Sequence, residues 1–286
     1  MSAEILKGAP VAAALNAETS ARAEMLRAGG INPCLAVVRV GDRPDDIAYE
    51  KGILKRCAGV GVETKQILLP EEIDNNEIIN ALCKLNADKS VHGILVFMPL
   101  PGHLDEKAVR ASIAAEKDVD GVTELSAAGV FTGNGVGFAP CTAQAVIEIL
   151  KHYSVPIAGK RAAVFGRSLV IGKPAAMLLM AENATVTVCH SRSEKADTIA
   201  GEADIVVAAL GKAKALGAGY FRKGQTVIDV GINFDDEGKM CGDVDFAAAE
   251  GIVDAITPVP GGVGAVTTAV LVRHCVEAAE KMSDKS

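Results

Sequence analysis

The chain has 286 residues, a net charge of −7 at pH 7 and 49% apolar residues, which favours two domains of a well-buried α/β protein. The acidic balance argues against nucleic acid as the main partner, no apolar run reaches membrane length, and the start MSAEILKGAP lacks a signal-peptide core. The seven cysteines form no C-x-x-C pair and the five histidines show no metal spacing, so we expect a cytoplasmic protein without metal.

Helical and strand patterns alternate along the N-terminal half. Strands alternating with helices of ten or more residues imply βαβ units and a parallel sheet. The predicted helices cover residues 11–27, 45–57, 75–85 and 105–115, and the predicted strands cover residues 34–40, 63–69 and 93–97. The glycine-rich run at residues 129–137 is the predicted domain boundary.

A strand, a glycine turn and a helix follow one another at residues 159–180. The buried strand at residues 161–165 ends at Gly166, and Ser168 and Gly172 lead into a helix at residues 174–180. Free backbone N–H groups and the positive end of a helix dipole make such a turn an anion site. The spacing G-x-S-x-x-x-G meets the dinucleotide fingerprint G-x-G-x-x-G only approximately, so an ordinary turn is the alternative.

The rest of the C-terminal half continues this pattern. A helix is predicted at residues 142–153, strands at residues 184–189, 204–210 and 225–230, and a last helix that ends near residue 280. The second strand of a Rossmann-like unit ends at the adenosine ribose, and its tip here reads His190-Ser191-Arg192 without a carboxylate. Serine and arginine suit the 2′-phosphate of NADP, so NADP is favoured over NAD, and Arg167 supplies a second positive charge.

Seven motifs occur in order: KDVDG (117–121), PCT (140–142), GRSLVIGKP (166–174), TVTVCHSRS (185–193), DVGIN (229–233), GDVDF (242–246) and TPVPGGVG (257–264). Together they resemble the FolD-type family of methylenetetrahydrofolate dehydrogenase/methenyltetrahydrofolate cyclohydrolase over essentially the whole chain. The resemblance implies a homodimer of α/β subunits with two domains flanking a cleft, each with a mainly parallel sheet. A folate-binding catalytic domain would comprise residues 1–138 and 268–286, and a Rossmann-like NADP-binding domain residues 139–267.

The resemblance also implies site residues. Tyr49 and Asp120 match the catalytic and substrate-binding positions of the family, and the substrate-binding set adds Pro260, Gly261 and Gly262. The predicted cofactor-binding residues are Gly166, Arg167, Ser168, Ile171, Gly172, His190, Ser191, Arg192, Ala209, Gly211, Gly231, Ile232, Asn233 and Asp243.

The chain departs from the family pattern at several positions. The family's lysine, four residues after the tyrosine, is Ile53 here, its glutamine is Phe97, and its serine is Asp46. The F-H-P-x-N that usually follows KDVDG is also absent. On a helix of about 100° per residue, Lys51 and Lys55 lie about 200° and 240° from Tyr49. Neither lysine therefore shares its face unless the helix is distorted, and the guanidinium of a neighbouring arginine is not a base.

These departures affect the two family activities differently. Hydride transfer from the one-carbon unit is assisted by the folate nitrogen and needs no proton carrier, whereas hydrolysis of the methenyl cation does. We therefore expect an NADP-dependent dehydrogenase with weak or absent cyclohydrolase activity. The alternatives are a fully bifunctional enzyme with a displaced lysine or Asp46 in that role, another Rossmann oxidoreductase, and a non-catalytic folate- or nucleotide-binding protein.

Overall fold

The computed structural model describes residues 2–284. Its strands are β1 (Glu4–Ile5), β2 (Cys34–Val40), β3 (Glu63–Leu69), β4 (Gly93–Val96), β5 (Arg161–Phe165), β6 (Thr185–Cys189), β7 (Ile205–Ala208), β8 (Thr226–Asp229), β9 (Asn233–Phe234), β10 (Met240–Cys241) and β11 (Ala255–Ile256). Its α-helices are α1 (Gly8–Ala28), α2 (Pro44–Val60), α3 (Asn75–Ala87), α4 (Glu106–Ala111), α5 (Glu124–Thr132), α6 (Cys141–His152), α7 (Gly172–Ala181), α8 (Ala196–Glu202), α9 (Phe246–Glu250) and α10 (Val263–Ser283). None of the helices within these residues is long and apolar enough to cross a bilayer.

One compact unit, here called the three-strand unit, comprises Ala14–Cys141 and the residues from Thr268 onward. Its parallel sheet has the order β3-β2-β4. The central strand β2 is buried along its whole length, as expected for a parallel strand covered on both faces, whereas the edge strand β3 is largely exposed. Asp74 begins α3 with a capping box, in which its carboxylate accepts the Glu77 N–H at 2.9 Å.

The second compact unit, here called the six-strand unit, comprises Thr142–Thr267 and the residues up to Ala13. Its sheet has the order β1-β11-β8-β7-β5-β6, and every pair is parallel. After the short edge strand β1, the chain enters the sheet again at β5, adds β6 on one side and then returns to place β7 on the other side of β5. Ligands of open α/β sheets bind beyond the carboxyl ends of the strands at such a switch point, which here lies between β5 and β7.

The α/β class and the parallel sheets agree with the sequence-based expectation, and β2, β3 and β5 have their predicted bounds. The helix predicted at residues 105–115 is shorter, because α4 ends at Ala111 and a separate 3-10 turn follows at Ala115–Lys117. Residues up to Ala13 were predicted to belong to the N-terminal domain. They lie in the six-strand unit instead, because β1 pairs with the edge strand β11.

The predicted domain boundary at residues 129–137 is not where the units divide. The helix α5 covers the first part of this run, and its N-cap Thr123 accepts the Ser126 N–H at 3.1 Å. Gly129 is a packing glycine, since a Cβ there would lie 1.9 Å from the Val136 carbonyl oxygen. The units divide between Cys141 and Thr142 instead.

Candidate active site

A buried aspartate shapes the KDVDG turn in the three-strand unit. Asp118 is fully buried, and its carboxylate accepts the N–H groups of Val122 and Thr123 at 3.0 and 2.8 Å and the Ser126 hydroxyl at 2.6 Å. These bonds use both carboxylate oxygens inside the protein. Asp118 therefore fixes the turn that carries Asp120, and it was not among the predicted site residues.

Asp120, by contrast, has a carboxyl group that titrates near neutrality. Burial of this group raises its pKa to about 7, with a further increase from the negative charge of Asp118, while a hydrogen bond from the Cys141 thiol opposes the shift. A carboxyl group with such a pKa both accepts and donates a proton at physiological pH. Asp120 therefore has the properties of a binding and a proton-transfer group.

Tyr49 lies on α2, and its side chain is 47% exposed. Burial of its hydroxyl raises the pKa to about 12; Asp120 adds to this increase, and a hydrogen bond with Thr268 opposes it. The Tyr49 phenol therefore stays protonated at neutral pH and serves as a neutral hydrogen-bonding and stacking group. Its ring meets the Phe97 ring in an edge contact, with 5.7 Å between centroids and 71° between planes.

Positions 53 and 97 are occupied by buried apolar side chains. Ile53 is completely buried and Phe97 is 7% exposed. Neither side chain donates or accepts a proton, so these two positions contribute packing and no acid–base chemistry.

The other ionisable groups of α2 do not replace a lysine at position 53. The Lys51 and Lys55 side chains are exposed, and α2 is regular over both residues. Arg56 donates to the Asn16 carboxamide at 3.2 Å. Both oxygens of Asp46 are held by the Arg43 guanidinium at 2.8 Å, so the carboxylate is an ion-pair partner rather than a free base.

In the six-strand unit, the turn between β5 and α7 is built by Ser168. Its hydroxyl accepts the N–H groups of Ile171 and Gly172 at 3.1 and 3.4 Å, and its carbonyl accepts the Lys173 N–H at 3.0 Å. These three N–H groups therefore form hydrogen bonds within the turn. The part of the turn that remains accessible to a ligand is the exposed stretch of residues 167–170. The α7 dipole still favours an anion at this end.

Two glycines of this turn are required by the protein's own backbone. A Cβ at Gly166 would lie 2.0 Å from the Ala209 carbonyl oxygen, and a Cβ at Gly172 would lie 2.2 Å from the Gly166 carbonyl oxygen. The first contact joins the ends of β5 and β7, where the sheet order switches. Gly166 and Ala209 thus come together at the predicted crevice.

The turn after β6 presents an exposed arginine. The backbone N–H of Arg192 donates a hydrogen bond to Nδ1 of His190 at 3.2 Å. The backbone N–H of His190 donates to the Ser193 hydroxyl oxygen at 3.0 Å. This folding leaves the side chains of Ser191 and Arg192 exposed at the tip of the strand. Their position relative to the sheet is the one expected for ribose-phosphate recognition.

Asp243 ties together the loops that follow β7 and β8. Its fully buried carboxylate accepts the N–H groups of Leu210, Gly211 and Lys212 at 2.5–3.1 Å and the Asn233 amide at 2.9 Å. These protein donors occupy both carboxylate oxygens. Asp243, predicted as a cofactor ligand, therefore has the geometry of a positioning residue for Gly211 and Asn233.

A second aspartate supports this arrangement. The carboxylate of Asp229 accepts the N–H groups of Gly231, Asp243 and Val244 at 2.9–3.0 Å. Burial raises the pKa of Asp229 to about 6, against the opposing effect of these three hydrogen bonds. Gly231 and Asp243 are predicted site residues, whereas Asp229 is not, although the motif DVGIN contains it.

Replacing Asp243 with alanine is expected to lower the free energy of unfolding by at least about 3 kcal/mol. Several buried donors would lose their acceptor, and each unsatisfied group costs about 1–3 kcal/mol. Chemical denaturation tests this expectation. Asp245→Ala is the matched control, because it removes only the 3.3 Å cap to the Ala248 N–H; equal losses in the two variants would contradict the positioning role.

The loop Pro258–Gly264 is closed by the N-terminal segment of the same unit. The Gly8 N–H donates to the Gly261 carbonyl oxygen at 2.8 Å, and a Cβ at Gly262 would lie 2.4 Å from the Pro258 carbonyl oxygen. A cavity of about 310 Å³ is lined by this loop and by residues 229–232, including Gly231 and Ile232. The exposed Pro260 and Gly261 thus share a cavity with predicted cofactor residues.

Comparison with known families identifies the family of this chain. A model of the tetrahydrofolate dehydrogenase/cyclohydrolase catalytic domain matches residues 6–120, and a model of the NAD(P)-binding domain of the same family matches residues 140–283. The chain belongs to this family. Similar proteins include the "Bifunctional protein FolD" of Carboxydothermus hydrogenoformans, which is 54% identical over 97% of this chain and 98% of its own length. The "Bifunctional protein FolD" of Clostridioides difficile is 48% identical over 99% of this chain and 98% of its own length.

Solved structures of the family have the same fold. The FolD dehydrogenase/cyclohydrolase of Campylobacter jejuni superposes with a TM-score of 0.93 at 38% identity and covers 97% of this chain and 98% of its own. The Trypanosoma brucei FolD, solved with NADP and an inhibitor, has a TM-score of 0.91 at 33% identity over both full chains. The six-strand unit therefore corresponds to the NAD(P)-binding domain, and the chain has the two-domain FolD fold.

Proposed function

We propose that this protein oxidises 5,10-methylenetetrahydrofolate to 5,10-methenyltetrahydrofolate with NADP. The observation that carries the proposal is the family match over both halves of the chain, in a structure that retains Tyr49 and Asp120 as neighbouring polar groups. The predicted alternatives of another Rossmann oxidoreductase and of a non-catalytic binding protein lack such support. Substrate-dependent formation of NADPH tests the dehydrogenase directly.

The residues at the site suit hydride transfer. The folate nitrogen stabilises the cation that forms as the hydride leaves, so the protein needs to bind, orient and exclude water rather than to move a proton. Tyr49, protonated at neutral pH, offers its ring face and hydroxyl to the substrate, and Asp120 accepts hydrogen bonds from the pterin. The Tyr49–Phe97 pair makes the adjoining surface apolar.

The NADP site is proposed at the switch point of the six-strand sheet. The exposed turn after β5, the Ser191-Arg192 tip and the loops tied by Asp243 surround the carboxyl ends of the strands, where this fold binds nucleotides. NADP, when bound, accepts the hydride. Arg192 would pair with the 2′-phosphate, and Gly211 and Asn233 are held in place beside the crevice by Asp243.

Replacing Arg192 with alanine is expected to reduce kcat/KM for NADP by about 10- to 150-fold, because a hydrogen bond to a charged group contributes about 1.5–3 kcal/mol. Activity with NAD, which lacks the 2′-phosphate, should change less than threefold. Initial rates with both cofactors measure the effect. Arg161→Ala serves as the control, because its exposed side chain lies at the start of β5. An equal loss with both cofactors would assign Arg192 a different role.

The second candidate activity is the cyclohydrolase. From Ile53 and Phe97 we expected this activity to be weak or absent. The relatives are named bifunctional, and they favour its presence. Hydrolysis then requires a proton carrier elsewhere. Among the groups around Tyr49, Asp120 has a pKa near 7, so we assign it that role. A carboxyl group protonated about half of the time at neutral pH can supply the proton to the departing folate nitrogen.

One assay separates the two activities. Purified protein is mixed with 5,10-methylenetetrahydrofolate and NADP, and NADPH and the methenyl absorbance are followed separately. A bifunctional enzyme clears methenyl faster than buffer does, whereas a dehydrogenase alone lets it accumulate. Absence of NADPH formation from a folded protein would contradict the proposed function as a whole.

We further propose a cytoplasmic homodimer. Strand β6 is the last strand of the six-strand sheet and has no neighbouring strand on its outer side among the described residues. Val188 on this strand is 37% exposed. Native proteins usually cover or interrupt such an edge, and pairing with a second copy covers it symmetrically. Light scattering after gel filtration is expected to give twice the 29.5 kDa chain mass, and Val188→Lys is expected to shift it towards the monomer.

A further inference from the structure

A cavity of about 550 Å³ lies in the three-strand unit, and the proposed function makes no use of it. It is lined by the end of α3, the 3-10 turn before Asp118, the loop after α5 and the last turn of α10. Tyr49 and Asp120 are not among its lining residues. Its side chains nevertheless combine charges, a histidine hydrogen-bond donor and an aromatic ring.

The hydrogen-bond donor is His92, a residue that is 6% exposed and lines the cavity. Its Nδ1 accepts the Cys34 N–H at 3.2 Å, so the proton of the neutral ring is on Nε2. Burial and the nearby positive charge of Lys117 lower the pKa of His92, which keeps the ring neutral at pH 7. Within residues 2–284 no protein group bonds Nε2, and the ring lines the cavity. The cavity therefore contains an unused N–H donor.

The charge around the cavity is positive. Its ionic lining residues are Lys89, Lys117 and Lys281 against Glu116, a net charge of +2 from three cations and one anion. The Lys117 ammonium is buried and donates to the carbonyl oxygens of residues 85, 86 and 88 at 2.7–3.0 Å, without a carboxylate among these partners. Its hydrogen bonds are thus made to carbonyl dipoles alone, the charges of Asp88 and Glu116 act on it without a direct bond, and an anion in the cavity would add to this compensation.

The aromatic side of the cavity is formed by Phe138. This ring is buried, and the Lys281 ammonium lies 4.4 Å from its centroid. Ile31 and Val136 extend the apolar lining. A ligand with both an anionic head and an apolar body would therefore contact the lysines and His92 through its head and this apolar surface through its body.

We propose that this cavity binds a small organic anion, a carboxylate or a phosphate ester on an apolar body. His92 donates from Nε2 to the anionic head, and Lys89 and Lys281 pair with it at the rim. The apolar body packs beside Phe138. The site is independent of the proposed dehydrogenase, because it shares no residue with the groups assigned to substrate or cofactor.

Histidine NMR tests the site with phenyl phosphate as the probe. The chain has five histidines, so labelled imidazole signals are resolvable, and His190 reports separately on anions at the predicted nucleotide crevice. We expect the His92 signal to shift and saturate with phenyl phosphate at least tenfold more tightly than with inorganic phosphate. Benzoate distinguishes a carboxylate source from a phosphate source, and either one supports the site.

The Lys89→Gln/Lys281→Gln double variant is expected to weaken phenyl phosphate at least tenfold at His92. Lys84→Gln, on the last turn of α3 but outside this cavity, should leave the affinity unchanged. The proposal is overturned if His92 does not shift while His190 saturates, if the double variant binds as tightly, or if neutral benzyl alcohol shifts His92 equally. All variants are compared at equal thermal stability, which excludes unfolding as the cause.

Discussion

Asp120→Asn is expected to abolish most methenyl hydrolysis while leaving a measurable dehydrogenase. The amide keeps the size and one acceptor oxygen of the carboxylate, but it cannot carry a proton. Loss of the charged acceptor should reduce dehydrogenase kcat/KM by about 10- to 150-fold, mainly through KM, since hydrogen bonds to charged groups contribute about 1.5–3 kcal/mol. Positioned proton transfer typically accelerates a reaction by about 10²–10⁴-fold. The kcat of the cyclohydrolase should therefore fall by at least a further factor of about 10².

The pH dependence gives this prediction a second readout. The pKa of Asp120 is raised from 3.8 to about 7, so the proton it would donate is present below pH 7 and lost above it. The ratio of cyclohydrolase to dehydrogenase kcat/KM should therefore fall as pH rises through 7 in the wild type and become flat in Asp120→Asn. Asp45→Asn, an exposed aspartate on α2, is the control. A ratio that is unchanged by the substitution would remove Asp120 as the carrier.

The sequence predicted most of the strands and helices because these elements depend on local patterns. The β-branched run of Cys34–Val40 and the capping aspartate of α3 are local signals, and both elements form where these signals predict them. The helix α5 was missed because glycines and small residues around it indicated a linker, while its cap and the contact of Gly129 with Val136 depend on the folded chain. Propensity alone does not contain such a long-range contact.

The same limit applies to the site. Sequence motifs selected Asp120 and Asp243, but a motif does not show whether a carboxylate is free or already bonded. In the structure Asp118 and Asp243 are occupied by protein donors, whereas Asp120 is the one with a pKa near 7. The distinction depends on burial and on hydrogen-bond partners from distant positions, which only the tertiary structure brings together.

Ile53→Lys combined with Phe97→Gln is expected to raise methenyl hydrolysis at least tenfold over the wild type. Ile53 is completely buried and lies one helical turn after Tyr49, so a lysine there would share the face of the tyrosine. Burial disfavours an ammonium and lowers a lysine pKa by up to about 3–5 units, which moves it towards the neutral range that proton transfer needs. A glutamine at position 97 would supply an amide partner.

The same burial makes the double variant less stable, because an ammonium replaces a packed isoleucine and the Tyr49–Phe97 ring contact is lost. Ile53→Met/Phe97→Leu is the control, since it disturbs the packing without adding a proton carrier, and it should show no gain in hydrolysis. Rates are compared below the melting temperature of both variants. If the folded lysine–glutamine variant hydrolyses methenyl no faster than the wild type, positions 53 and 97 do not limit this step.

Adding Asp120→Asn to the lysine–glutamine variant then separates the two proton carriers. Hydrolysis that survives this third substitution passes through the new lysine.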